Sequence, residues 1–143
     1  MPAGPSAGDP VARFSLTIDG YEIASFSELV AITSEAGSDD LTGKVLSKLP
    51  GRRKPPTVTL RRAVTGDMQM SAWHDSAVEG RTGEVRKHAA LVMYDSDGHP
   101  VARYHLENAW PSQLEVAPLK AGSNEVLYET VTLMCDAAQR IAP

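Results

Sequence analysis

The sequence has one cysteine, few aromatic residues and no long hydrophobic run. With Cys135 alone, no disulfide can form within the chain, which is typical of a cytoplasmic folding compartment. We expect this thiol to be buried and structural. The longest apolar stretch, residues 89–94, is far shorter than the roughly 20 residues that a membrane-spanning helix needs. The start, MPAGPSAGDP, lacks the basic flank and apolar core of a secretion signal, so we expect no membrane anchor and no general export.

Sequence motifs for metal binding and catalysis are absent as well. No zinc-ligand spacing links the histidines, and no second cysteine is available. Residues 95–98, DSDG, look like part of a calcium loop, but Leu106 stands where a bidentate glutamate is required, so we interpret them as a turn. The sequence contains no nucleophile elbow, phosphate loop or catalytic carboxylate pair. We therefore expect no enzyme activity, no metal and no cofactor.

The length and the charge pattern indicate one domain with a polarised surface. The 143 residues, 42% of them hydrophobic, suffice for one core. We assign residues 1–10 to a flexible N-terminal segment and 11–143 to the domain. Residues 14–43 hold six acids and no Lys or Arg, whereas residues 44–66 hold seven bases and no acid. Such blocks are typical of solvated surface or of interaction segments, and both interpretations stay open here.

Alternation of apolar and polar residues predicts a mainly β chain. Residues 13–18 alternate up to Asp19-Gly20, a hairpin signal because both central residues of a type I′ turn need positive φ. A second strand is predicted from Tyr21 towards Thr33, with a break near residues 25–27.

Further strands follow the same period. One covers residues 57–61, and a second hairpin joins residues 89–95 to 101–108. A last strand at 125–136 has apolar residues on both faces, which predicts a central position. On one of those faces we place Leu127, Val131, Leu133 and Cys135.

Residues 65–80 have helical spacing instead. Met70, Trp73 and Ala77 share a side, with Met68 and Val78 near it, while Asp67 suits the first turn and Gly80 the end. Trp73 is interpreted as an anchor that packs the helix on a sheet. The predicted architecture is a β-sandwich or open barrel of two antiparallel sheets with one flanking α-helix.

Residues 35–56 have no periodicity, and loops of more than about 12 to 15 residues in compact domains are usually functional or disordered. The first part of this segment is acidic, the second part is basic, and three prolines stiffen its exit. A head-to-tail contact needs two different complementary patches, which an acidic and a basic stretch on one chain provide.

Several stretches resemble a known family, in the right order over nearly the whole chain after Val11. They are FSLTIDGYEIASFSEL at 14–29, KLPGRRKPPTVTLRR at 48–62, the helix around Trp73, DSDGHPVARYHLENAWPSQLE at 95–115 and AGSNEVLYETVTLMCD at 121–136. These stretches are similar to the tail tube proteins of contractile phage tails and of phage-tail-like contractile injection systems.

The resemblance implies two packed antiparallel sheets and a helix, with six copies closing into a ring around a lumen. Rings then stack into a tube that partners a contractile sheath protein, spike or baseplate proteins, tube terminators and lumen cargo. Assembly is expected in the cytoplasm. The long connection, residues 35–56, is expected to contact neighbouring subunits and the next ring. The ring-stacking residues are Asp39, Asp40, Lys44, Lys48, Leu49, Pro50, Gly51, Arg52, Arg53 and Lys54, and the structural anchors are Trp73, Asn108, Trp110 and Pro111.

Two alternatives stay open. The sequence does not separate a phage tail tube from an injection-system tube. A nucleic-acid-binding β-domain is the other alternative, because residues 44–62 are basic. Against nucleic-acid binding, this stretch lacks interleaved aromatic residues and the whole chain has a net charge of −4.

Overall fold

The computed structural model of the chain describes residues 10–35, 54–80, 85–118 and 126–142. The described part is mainly β with one helix, as predicted. Its elements are β1 (Arg13–Ile18), β2 (Tyr21–Phe26), β3 (Glu28–Thr33), β4 (Thr57–Ala63), α1 (Gln69–Val78), β5 (Lys87–Tyr94), β6 (Pro100–Pro118), β7 (Leu127–Met134) and β8 (Ala137–Ile141).

The strands form one continuous antiparallel sheet in the order β2-β1-β5-β6-β7-β4-β3, with β8 paired to β6. The two predicted sheets therefore exist as two halves that share the long strand β6. The five-stranded half consists of β2, β1, β5, the first part of β6 and β8. The four-stranded half consists of the second part of β6, β7, β4 and β3.

The chain passes from one half to the other at two corners. At the first corner, β2 ends and β3 begins on either side of Ser27, whose N–H bonds to the Arg61 carbonyl at 3.1 Å. This is the break predicted near residues 25–27. At the second corner, within β6, Asn108 has a φ of 49° and its side-chain amide donates to Asp136 Oδ2 at 2.9 Å. A common core fills the space between the halves, so the sheet folds back on itself as an open barrel.

The second corner corrects the sequence prediction for this strand. We expected a strand end at Asn108, but β6 continues to Pro118. Trp110 packs against the core, as expected, with the Arg86 guanidinium 4.5 Å from its ring centre. Pro111 is fully buried, and an irregularity in the pairing follows it directly. A proline has no N–H for the ladder, and such an irregularity tolerates it.

The core follows the predicted alternation in β1, β4 and β7. Phe14 and Leu16, Val58 and Leu60, and Val131 with Leu133 and Cys135 are buried. Leu127 was expected on the same face but is 47% exposed, because β7 begins there, beyond the core. The prediction that β7 is central is confirmed by its place between β6 and β4.

Helix α1 packs on the sheet through Met70 and Trp73, as predicted. Met70 and Trp73 are buried, and Trp73 Nε1 donates to the Val85 carbonyl at 2.6 Å. Asp67 Oδ1 accepts the Gln69 N–H at 3.1 Å just before the helix. Met68 and Val78 were placed near the buried side but are exposed, since they stand at the two ends of the helix, where it overhangs the core.

The two hairpin turns differ in geometry. Asp19 and Gly20 both have positive φ, 53° and 82°, as a type I′ turn requires. In the second turn Asp95 Oδ1 accepts the N–H groups of Asp97 and His99, each at 2.9 Å. The predicted turn is thus present.

A buried ion pair inside the barrel was missed by sequence reasoning. Arg62 Nε lies 2.7 Å from Glu129 Oε2, and both side chains are less than a tenth exposed. The Arg62 guanidinium also lies 3.5 Å from Asp67 and 5.2 Å from the Phe26 ring centre. The network joins β4, β7, β2 and the segment before α1. Arg62 is one of the seven bases of residues 44–66, which we call the basic block, and its burial shows that this member of the block is not solvated surface.

The thiol of Cys135 is fully buried, and burial, followed by the nearby charge of Asp136, raises its pKa from 9.0 to about 11. We expect the native protein to resist alkylation by iodoacetamide at pH 8 and to react once unfolded in urea, with the modified fraction measured by mass spectrometry. The unfolded thiol ionises from about pH 9, whereas the folded thiol stays protonated to about pH 11. Unfolding is therefore favoured increasingly between these values. Rapid native labelling at pH 8 would contradict this assignment.

Candidate assembly surfaces: two open strand edges and a polar face

The predicted ring-stacking residues fall almost wholly outside the described part of the chain. Of the long connection, the structure describes its two ends, where Lys54 Nζ lies 3.3 Å from Glu35 Oε2. This ion pair is more than half exposed on both sides, so it contributes little by itself. It does place both ends of the connection together, beside the start of β4. The residues outside the described ranges are Asp39, Asp40, Lys44, Lys48, Leu49, Pro50, Gly51, Arg52 and Arg53.

The four-stranded half is open at both edges. Strand β3 pairs with β4 on one side, and the second part of β6, residues 110–118, pairs with β7 on one side. Among the described residues, neither strand has a partner on its other side. Each edge carries a half-exposed valine, Val30 at 50% and Val116 at 54%. Open edges with exposed apolar residues favour pairing with another chain.

Strand direction distinguishes the two halves. Four antiparallel strands alternate in direction, so β3 and the second part of β6 run opposite ways. Copies placed side by side by rotation about one axis would then meet as another antiparallel pair. In the five-stranded half the outermost strands, β2 and β8, run in the same direction. Rotating copies about one axis would therefore bring β2 of one copy beside β8 of the next as a parallel pair. Antiparallel pairing is the slightly more stable of the two, so the four-stranded half is better suited to ring closure.

The outer face of the four-stranded half is polar and rich in threonine. The hydroxyl oxygens of Thr59 and Thr132 lie 3.4 Å apart, and Arg61 Nε donates to Thr130 Oγ1 at 3.2 Å. The opposite face of the same strands forms the core. By strand register, the outer face consists of Glu28, Ala31, Thr33, Thr57, Thr59, Arg61, Ala63, Gln113, Glu115, Ala117, Tyr128, Thr130, Thr132 and Met134, with Trp110 beside Met134 at one end.

The described members of the basic block all have partners within the chain. Lys54 pairs with Glu35, Arg61 with Glu28 at 3.4 Å, and Arg62 with the buried Glu129. The described bases of residues 44–62 therefore form no strip of unpaired cations for phosphate contacts. This weakens the nucleic-acid alternative, which depended on the whole stretch 44–62.

A second set of alternating polar residues is only partly exposed. Arg13, Ser15 and Thr17 alternate along β1, but Ser15 is buried and donates to Glu22, which also binds Arg13. The Arg13 guanidinium lies 4.4 Å from the Tyr94 ring centre. Long side chains thus close over this face, whereas the threonine face stays partly open.

The described residues include one cluster of possible metal ligands and no membrane-spanning helix. The ligand atoms of Asp95, Asp97 and His99 lie within 4.8 Å of one another, but the Asp95 carboxylate already caps the turn through two backbone N–H groups. In the ranges that the structure describes, the single helix α1 is too short to cross a bilayer.

An antiparallel barrel whose four-stranded half leaves both edges open is suited to self-assembly as a structural subunit. The family model of the T4-like virus tail tube protein gp19 matches residues 10–139. The chain belongs to this family. The resemblance seen in the sequence is thereby confirmed. Among curated proteins no match is found.

Solved structures share the fold. A chain of the PVC extracellular contractile injection system, in its sheath–tube complex in the extended state, has a TM-score of 0.68 and 21% identity, covering 96% of this chain and 93% of that one. A chain of the anti-feeding prophage tube-terminating cap has a TM-score of 0.65 and 21% identity, and the match covers 100% of this chain and 97% of that one. Hcp1 from Flavobacterium johnsoniae has a TM-score of 0.55 and 15% identity, and the match covers 89% of this chain and 93% of that one. At these identities the similarity concerns the fold.

Proposed function

We propose that this protein is the inner-tube subunit of a contractile injection system, with six copies closing into a ring and rings stacking into a hollow tube. Membership of the tail tube family supports the tube, and the two complementary open edges of the four-stranded half carry the proposal of ring closure. The role is structural, without catalysis. The tail tube of a contractile phage is the alternative, because both kinds of particle build their tube from the same type of ring-forming subunit.

Ring closure takes place between β3 of one subunit and the second part of β6 of the next. The joined four-stranded halves form one antiparallel cylinder, since an even number of strands repeats without a parallel joint. The buried face of each four-stranded half packs against the core of its own subunit, so the outer, threonine-rich face of that half lines the lumen. A wall of hydroxyl groups with few unpaired charges stays hydrated and binds passing cargo weakly.

The partners follow from what the similar chains assemble with. The PVC chain belongs to a sheath–tube complex and the anti-feeding prophage chain to a tube-terminating cap. We infer a contractile sheath around this tube, a terminator at one end and a baseplate with spike at the other, with assembly in the cytoplasm. The role of the lumen is the passage of effector cargo.

Electron microscopy of the purified protein tests this function. Hollow rings or tubes with six-fold symmetry in negative stain are expected. A single subunit that shifts DNA in a salt-sensitive manner would favour the nucleic-acid alternative instead.

Reversing the charge of the basic stretch is expected to shorten the tubes. We propose that Arg52 and Arg53 contact acids such as Asp39 and Asp40 of a subunit in the next ring. Arg52→Glu with Arg53→Glu turns these attractions into repulsions, each worth only about 0 to 1 kcal/mol but repeated around every ring. Tube length in micrographs at low and high salt measures the effect. Unchanged tube length at every salt concentration would contradict the contact.

A further inference from the structure

Both open edges of the four-stranded half are interrupted by a β-bulge. In β3 the pairing with β4 shifts between Leu29 and Ala31, so Val30 is an extra residue. In the second part of β6 the pairing with β7 shifts directly after Pro111, so Ser112 is an extra residue. The two inner strands, β4 and β7, pair with each other without any shift. The half is therefore regular at its centre and bulged at each edge.

The two bulges fit the barrel without disturbing its core. Ser112 Oγ donates to the Thr132 carbonyl at 3.2 Å, so its hydroxyl satisfies a backbone group beside the bulge. Val30 is half exposed. Both bulges adjoin the row of Thr59 and Thr132, which are register partners. On either side of each bulge the strand keeps its alternation of core and outer positions, so removing the extra residue would turn none of its neighbours over.

The side chains of the outer face do not by themselves specify how the edges of two copies align. A slip of two residues keeps every side chain on its own face, because the period of a strand is two. The outer residues of 28–33 and 113–117 are all small or polar, so such a slip costs little in packing. In a closed cylinder of strands, however, stagger, tilt and diameter are linked. A ring of one size therefore requires one register at every joint.

We propose that Val30 and Ser112 fix the register in which β3 of one subunit pairs with the second part of β6 of a second copy, and thereby fix the size of the ring. The proposal rests on the proposed ring closure and adds what selects its register. A bulge bends its strand and disrupts the ladder of N–H and C=O groups at that point. The bulge at Val30 divides β3 into two short runs, 28–29 and 31–33. An alignment that lays a regular run across a bulge loses ladder hydrogen bonds, which is also how bulges protect edges from chance pairing.

The test deletes one extra residue at a time from the full chain, Val30 in one variant and Ser112 in the other. The matched controls are Val30→Thr and Ser112→Thr, which change the side chain but keep the extra residue. Native mass spectrometry counts the subunits in each ring, negative-stain micrographs give the ring diameter, and circular dichroism checks the fold. The controls are expected to keep one ring size. In each deletion variant the fraction of rings of that size is expected to fall by about threefold, because about three alignments, two residues apart, then share the population.

Disulfide cross-linking measures the register directly in a chain that keeps both bulges. Ala31→Cys is combined in turn with Gln113→Cys, Glu115→Cys or Ala117→Cys, three outer positions spaced by two residues on the second part of β6. Strands β4 and β7 separate these positions from Ala31 within one subunit, so a bridge joins two subunits. A disulfide needs Cα atoms within about 7 Å, and residues displaced by one such step lie beyond that distance. One of the three pairs is therefore expected to predominate.

Folded deletion variants that keep the single wild-type ring size would overturn the proposal, as would similar cross-linking yields from two or three of the cysteine pairs. If a deletion variant does not fold, the cross-linking decides alone. Assembled rings in which none of the three pairs forms a bridge would place the joint on other strands. That outcome, like absence of rings from the unsubstituted protein, would instead refute the proposed ring closure itself.

Discussion

Replacing Glu129 with alanine is expected to lower the free energy of unfolding by about 3 kcal/mol, because the change leaves the Arg62 guanidinium buried without its closest carboxylate. Asp67, at 3.5 Å, remains as a weaker partner and keeps the loss near the lower end of the usual range. Urea denaturation followed by tryptophan fluorescence measures the change, at a dilution where light scattering reports single subunits.

Two controls separate the buried charge from other effects. Glu28→Ala removes the exposed partner of Arg61 and is expected to cost less than about 1 kcal/mol. Arg62→Met combined with Glu129→Leu replaces both buried charges by apolar groups and is expected to recover most of the loss. If Glu129→Ala and Glu28→Ala cost the same small amount, the buried pair does not stabilise the barrel as described.

Placing lysine at both open edges is expected to abolish ring formation. Val30→Lys and Val116→Lys put a charge on each strand that is proposed to pair with a neighbouring subunit, and monomeric β proteins protect their edges with such charges. Both side chains are half exposed in the single subunit, and because Val116 is the register partner of the buried Glu129, circular dichroism of the variant checks that the fold is kept. Size-exclusion chromatography with light scattering should therefore show a folded single subunit in place of rings.

Val78→Lys is the matched control for the edge variant, since it charges an exposed valine on α1 away from both edges. It is expected to leave the rings intact. Rings of normal size in the double edge variant would mean that ring closure uses other strands, with β2 and β8 as the remaining open pair.

The fold was predictable where the pattern of a strand or helix is long and uninterrupted. The alternation of β1 and the spacing of Met70 and Trp73 gave the correct elements because burial alone determines them. The extension of β6 past Asn108 was not predicted, since a proline at position 111 normally ends a strand. In the structure, the corner and the pairing irregularity beside Pro111 remove the need for its N–H.

The buried ion pair had a signal in the sequence that charge counting hid. Arg62 stands two residues after the buried Leu60, and Glu129 stands two residues before the buried Val131. Glu129 is thus at an inward position of the predicted last strand, and Arg62, one residue past the predicted strand 57–61, continues the inward alternation. Two opposite charges at inward positions indicate a paired burial. Strand β8 had no comparable signal, because its sequence AAQRI offers one large apolar residue and no alternation.

The assembly surfaces depend on topology, which periodicity does not provide. The sequence located the polar alternation of Thr57, Thr59 and Arg61, but only the strand order shows that these residues belong to a half with an even number of strands and two open edges. The proposed lumen face follows from that parity. Residues 36–53, on which the sequence placed the ring contacts, lie outside the described ranges.

A cryo-electron microscopy reconstruction of the assembled protein tests the central claim most directly. The account predicts six subunits per ring, with β3 of each subunit paired antiparallel to the second part of β6 of the next and with Thr59, Thr130 and Thr132 facing the lumen. A reconstruction in which the five-stranded half lines the lumen, or a protein that stays a single subunit at every concentration and salt condition, would contradict it.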